Sequence, residues 1–172
     1  AMLVPLPVLA ASSRDTAFDN ASTDSSRHWN YGQNLAGPDI TDGNSKSRHN
    51  TVTIYLTPEE QALANDGYLS YIGSVHIGAN GSRTVDRSIT TTCYDAGGKA
   101  MSTGSYSKSG STYWVSHASY DYSSGNILIP AGTTSITYSV SVSIGTAGDL
   151  ELENMVFTIN SDAPNDGGYQ PI

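Results

Sequence analysis

The chain has a single cysteine, Cys93, so no intrachain disulfide framework can hold it together. Stability must come from a packed core, with a bound metal as the remaining device. Basic residues are also scarce: 8 Lys and Arg stand against 16 Asp and Glu, a formal net charge of −8 with no run of positive side chains. Such a surface repels polyphosphate and excludes nucleic acid and anionic membrane surfaces as partners. No apolar run approaches the roughly 20 residues that a membrane-spanning helix needs, so insertion by that route is excluded too. The Gly-x-Ser-x-Gly turn of an α/β-hydrolase, the His-Glu-x-x-His helix of a zinc protease and the glycine-rich nucleotide loops are all missing. His28, His49, His76 and His117 fall in separate segments without zinc-ligand spacing, and they read as hydrogen-bonding loop and strand residues. Few acids lie outside turns, so catalysis is not expected, although the separation of two carboxylates in a glycosidase is a property of the fold.

What is present is strand pattern. Val52, Ile54 and Leu56 alternate with Thr51, Thr53 and Tyr55, the period of a half-buried strand. Thr57-Pro58-Glu59-Glu60 then carries a capping box with proline at the first helical position, which predicts a short helix over 58–64, stopped by Asn65-Asp66-Gly67. A strand resumes over Tyr68 to Ile77. From Arg83 to Tyr94, Val85, Arg87, Ile89, Thr91 and Cys93 share one face, and Asp95-Ala96-Gly97-Gly98 turns the chain. Cys93, on the face of Ile89 and without a basic neighbour, reads as inert packing. Ala100 to Tyr106 and Thr112 to Ser119 read as a hairpin closed by Ser107-Lys108-Ser109-Gly110. Ile136, Tyr138, Val140, Val142 and Ile144 give one clean inner face over Ser135 to Ile144. Leu150 to Asn160 is the last strand, and its parity changes between Val156 and Phe157, which calls for a bulge or for two partly buried faces.

The predicted fold is therefore all-β: an antiparallel β-sandwich of about eight strands with one short helix. Its length suits one domain, placed over 18–160. Residues 1–17, with two prolines in an apolar stretch, read as an edge segment or linker, and the Pro- and Gly-rich residues 161–172 as a flexible tail. Residues 12–50 read as long loops around short strands that carry Trp29 and Tyr31. Asn20-Ala21-Ser22 and Asn80-Gly81-Ser82 match the glycosylation acceptor pattern.

Three stretches resemble the galactose-binding-domain-like jelly-roll modules, a group that includes many carbohydrate-binding modules. These are Phe18-Asp19 followed by Trp29; Cys93-Tyr94-Asp95-Ala96-Gly97-Gly98; and Trp114, then Ile129-Pro130-Ala131-Gly132-Thr133-Thr134-Ser135-Ile136, then Glu153-Asn154-Met155-Val156-Phe157. The resemblance implies a jelly roll and a glycan ligand. It also implies a structural calcium between an N-terminal loop and the last strand, with Asp19 and Glu153 as the matching carboxylates. This chain departs from the family in having Glu153 where Asp is more usual. Calcium takes six to eight oxygens, so backbone carbonyls would complete the set.

Sugar recognition needs aromatic faces and planar polar side chains. With 11 tyrosines and 2 tryptophans against 2 phenylalanines, the chain carries the amphipathic aromatics that suit an exposed recognition surface. Trp29, Tyr31, Arg48 and His49 lie in or beside the early loops; Tyr113, Trp114, His117, Tyr120 and Tyr122 gather in the later hairpin and its exit. Core packing competes for Trp114. The expectation is a non-catalytic, lectin-like module of a larger extracellular, cell-surface or virion-surface protein that binds a glycan or polysaccharide. The alternative is a structural or adhesive domain of a phage fibre, virion or other surface assembly, as a homo-oligomer. A small secreted hydrolase domain is a weaker rival.

Overall fold

Alternation of apolar and hydroxyl side chains with a period of two gives each strand one face for a core and one for water. In the computed structural model those faces close on each other as two sheets. The structure describes residues 47–146 and 150–161 in full, and 13–17 and 28–29 as backbone. The elements are β1 (Ser13–Ala17), β2 (His28–Trp29), β3 (Ser47–Tyr55), α1 (Pro58–Asn65), β4 (Leu69–Ala79), β5 (Arg83–Tyr94), β6 (Tyr106–Trp114), β7 (Ala118–Ser123), β8 (Ile127–Leu128), β9 (Ser135–Ser143) and β10 (Leu150–Ser161).

Eight of these strands have five residues or more, as the pattern predicted, and they pair in nested fashion. The first pairs with the last (β1–β10), then β3 with β9, β4 with β7 and β5 with β6, all antiparallel. This is one long hairpin, and rolling it up adds the seams β10–β4 and β9–β5. The result is two sheets, β1-β10-β4-β7 with β8 beside β4, and β2-β3-β9-β5-β6. That order is a jelly roll. The two-residue strand β2 pairs in parallel with β3 at Thr51 and Val52. No helix among the described residues is long and apolar enough to cross a membrane.

The core lies between the sheets. Ile136, Tyr138, Val140 and Val142 of β9 face Leu69, Tyr71, Val75 and Ile77 of β4 and Phe157 and Ile159 of β10, all buried. Tyr71 stacks on Phe157 at 5.0 Å between ring centres. A hydrogen-bond chain spans the core: Tyr106 N–H donates to Thr91 Oγ1 at 3.1 Å, the Thr91 hydroxyl meets that of Tyr71, and Tyr71 donates to the Gly104 carbonyl at 2.7 Å. Cys93 is buried, as expected, and its thiol points at the same carbonyl. Burial raises the Cys93 thiol to about 11 and the Tyr71 hydroxyl to about 12.

Helix α1 forms as its signals predicted. Thr57 Oγ1 accepts from Glu60 N–H at 3.2 Å while Glu60 Oε1 accepts from Thr57 N–H at 2.8 Å, and Leu63 and Ala64 are buried. The parity change in β10 is a bulge between Glu153 and Val156, with Asn154 at φ 48°. It moves the buried set from Leu150 and Leu152 to Met155, Phe157 and Ile159.

Three expectations need correction. Ser107-Lys108-Ser109-Gly110 is not a turn: it lies within β6, paired with Thr90, Ile89, Ser88 and Arg87. Serine and glycine there mark an exposed edge strand, and a Cβ at Gly110 would lie 3.0 Å from Arg87 Nη2, the movable end of that side chain. The segments 100–106 and 112–119 therefore form no hairpin. β6 and β7 lie in different sheets, and the chain crosses between them through Ser116 at φ 58°. Finally, β3 begins at Ser47 rather than Thr51, which brings Arg48 and His49 onto a strand instead of a loop.

Candidate functional site

Arg48 and His49 fall in a groove of about 660 Å³ on the sheet β2-β3-β9-β5-β6, lined by three residues from each of β3, β9, β5 and β6. The register explains its make-up. His49, Ser141, Ser88 and Ser109 form one row, and Ser47, Ser143, Asp86 and Ser111 another. Between them runs the row Arg48, Val142, Arg87 and Gly110, of the opposite parity, so that backbone forms the floor and hydroxyls the walls. His49 is held as a plate, with Nε2 2.8 Å from Thr51 Oγ1 and Nδ1 2.8 Å from Ser141 Oγ. None of the groove's lining residues is Tyr, Trp or Phe.

The aromatics stand on the other side of β6. A cleft of about 250 Å³ opens where the edges of the two sheets part, lined by Arg87, Ile89, Tyr106, Lys108, Ser109, Gly110, Asp121, Tyr122 and Ser123. Arg87, Ser109 and Gly110 line both hollows and join them. The Arg87 guanidinium lies 5.2 Å from the Tyr122 ring centre and 5.9 Å from that of Trp114. It donates from Nη1 to the Val85 carbonyl and from Nη2 to Thr112 Oγ1. Burial pushes the Tyr122 hydroxyl above its usual range, Arg87 opposes that shift, and Tyr120 adds to it.

The remaining predicted residues separate by burial. Trp114 is buried, at 4% exposure, edge-on to Tyr120 at 5.0 Å, so it supports the cleft from within. Tyr113 and Tyr120 are exposed. Tyr122 is half-buried and lines the cleft. His117 is at the surface with Nε2 3.7 Å from Glu151 Oε1. Trp29 lies in β2, which pairs with β3; Tyr31 and Asp19 lie outside the described residues, and so does any pairing of Asp19 with Glu153. Glu153 itself stands on the outer face of the β1-β10-β4-β7 sheet with His76 and Glu151, one ligand atom from each lying within 4.8 Å of the others.

Arg87, Lys108 and Asp121 are not among the residues that the sequence marks as site candidates, and His76 reads there only as a hydrogen-bonding residue. Arg87 had left a signal: it is a charged residue on the same parity as Val85 and Ile89, where a core side chain belongs. Asp121 and His76 left none, because only the register places them side by side.

No family model and no curated protein matches this sequence. Among solved structures, the chain is similar to that of infectious bursal disease virus, Gx strain, at a TM-score of 0.48 and 14% identity, over 94% of this chain and 35% of that one. It spans about a third of the length of that viral chain. It is similar to TmCBM61, solved in complex with β-1,4-galactotriose, at a TM-score of 0.40 and 14% identity, over 87% of this chain and 86% of that one. Against the enzymatically active domain of tailspike protein 4 from bacteriophage CBA120 the TM-score is 0.39 at 14% identity, over 86% of this chain and 19% of that one.

Proposed function

We propose that this chain is a non-catalytic glycan-recognition module, displayed outside a cell or on a virion, whose ligand sits in the cleft beside β6. The observation that carries this reading is the make-up of the cleft. Two tyrosine faces, Tyr106 and Tyr122, stand with Arg87, Lys108 and Asp121 around about 250 Å³. An aromatic face takes the C–H side of a sugar ring, while a guanidinium, an ammonium and a carboxylate supply donors and acceptors for its hydroxyls. Arg87 is pre-positioned by its contacts with Tyr122 and Thr112, which lowers the ordering cost of binding. A longer glycan continues over Gly110 into the serine-lined groove, where His49 and Asp86 are further partners.

A glycan array on the chain, run with calcium and again with chelator, tests this. Binding to one glycan class supports it; a blank array in both buffers overturns it. Loss of binding in chelator alone would add a metal that shapes the site.

The same edge favours a second reading, a structural or adhesive domain of a phage fibre, virion or other surface assembly. Tyr113, Val115 and Tyr120 are 61%, 68% and 52% exposed beside β6, which ends its sheet with no further strand among the described residues. Exposed apolar side chains at an open edge suit a protein partner. Light scattering separates the two: a stable trimer supports assembly, a monomer the isolated module.

A further inference from the structure

The outer face of the β1-β10-β4-β7 sheet carries a second constellation, which meets the cleft at Asp121. The register sets Glu153 of β10 beside His76 of β4, and His76 beside Asp121 of β7. Glu151, two residues before Glu153 and on the same face, lies across Gly78. The bulge that follows Glu153 ends this parity, so the two glutamates are the only pair that β10 offers to this face on that side of the bulge.

From this geometry we infer that His76, Glu151 and Glu153 bind a zinc-class divalent cation, with Asp121 as the positioning residue for His76. Ligand atoms of the three side chains already lie within 4.8 Å of one another, and all three are half-buried. His76 Nδ1 lies 2.7 Å from Asp121 Oδ1. A carboxylate on one ring nitrogen fixes the tautomer and leaves the other nitrogen as a lone-pair donor, which is the usual support of a metal-bound histidine. The bay is cut for Glu151: a Cβ at Gly78 would collide with Glu151 Oε2, so any larger residue there would displace the carboxylate. The Glu151 side chain is only 13% exposed, and a dication offsets the repulsion between two glutamates held this close. One imidazole nitrogen with two carboxylates is a zinc-type donor set, whereas calcium takes oxygens alone. Zinc prefers four ligands, and His117, with Nε2 3.7 Å from Glu151 Oε1, is at hand for the fourth position, which water fills otherwise.

The test is titration of zinc chloride into the chelator-treated chain, followed by calorimetry and by the visible spectrum of the cobalt-loaded form, with calcium chloride as a parallel arm. Expected are one zinc per chain, a cobalt spectrum of four-coordinate type, and a melting temperature that rises with zinc. Glu151→Gln and His76→Gln should each weaken zinc by tenfold or more. Asp121→Asn should weaken it about 10- to 100-fold while the cobalt spectrum persists at saturation, as befits a residue that acts through His76. All three substitutions lie on the outer face of the sheet, outside the core between the sheets, and a far-UV spectrum equal to wild type shows that each is folded. No zinc uptake by the wild-type chain, uptake that survives both ligand substitutions, or preference for calcium over zinc would overturn the assignment.

Discussion

Replacing Gly73 by alanine should destabilise the sandwich, although alanine loses less backbone entropy than glycine when a strand forms. A Cβ at position 73 would stand 3.0 Å from Tyr138 Cε2 and 3.3 Å from Cδ2 and Cζ. The ring has little room to retreat. Its hydroxyl donates to the Ser74 carbonyl at 2.6 Å, and Phe157 packs against it with ring centres 5.9 Å apart. Forcing a methyl into such a site costs about 1–3 kcal/mol, while the entropic gain over glycine is about 0.5–1 kcal/mol. The net loss of about 1–2 kcal/mol lowers Tm by roughly 2–8 °C in a domain of this size. Urea unfolding of Gly73→Ala, Tyr138→Leu and the double variant measures it. With the tyrosine ring gone, alanine at 73 should be neutral or stabilising, so the pair should couple by at least about 1 kcal/mol. An equal cost in both backgrounds, or a higher midpoint for Gly73→Ala alone, would refute the packing described for this core.

Two further outcomes follow from the same geometry. Gly110→Ala meets the movable end of Arg87, with Nη2 at 3.0 Å, rather than a wedged ring; Tm should hold or rise slightly, while glycan affinity falls because the guanidinium leaves Tyr122, as paired melting and binding curves would show. Alkaline pH should weaken the fold in steps. The folded state keeps Cys93 protonated to about 11 against 9.0 unfolded, and Tyr71 to about 12 against 10.0. The unfolded chain thus binds fewer protons above pH 9, so stability that is whole below pH 9 declines toward pH 11 and, through Tyr71, toward pH 12. Urea midpoints across that range should fall, and Cys93→Ala should remove the earliest part of the decline; a flat profile would contradict the burial of both groups.

The strands with one clean face were legible because the core enforces their period: Ser135 to Ser143, Arg83 to Tyr94 and the capped helix after Thr57 appear where their patterns put them. Even the bulge after Glu153 was visible as a change of parity. Strand β6 was misread because it is an edge. Its residues are exposed apart from Tyr106, Gly110 and Trp114, so no alternation marks it, and its glycine serves a guanidinium on the neighbouring strand rather than a turn. The site was half legible for a related reason. The aromatic segment around Tyr122 could be picked out by composition, and His49 and Arg48 belong to the adjoining groove. Joining Tyr122 to Arg87 depends on how the two sheets pack, and joining His76 to Glu153 and Asp121 on pairings between residues up to 77 positions apart, neither of which local pattern records.

The glycan reading is tested most directly by the affinity of Tyr122→Ala, with Tyr113→Ala as the control outside the cleft, for whichever glycan the wild-type chain selects. Losing roughly 60 Å² of ring face at about 25 cal/mol per Å² weakens binding by about 1.5 kcal/mol, close to tenfold. A drop of that order in Tyr122→Ala with Tyr113→Ala unchanged is the predicted result. Equal affinity in both variants and wild type would contradict it and remove the cleft from the binding site.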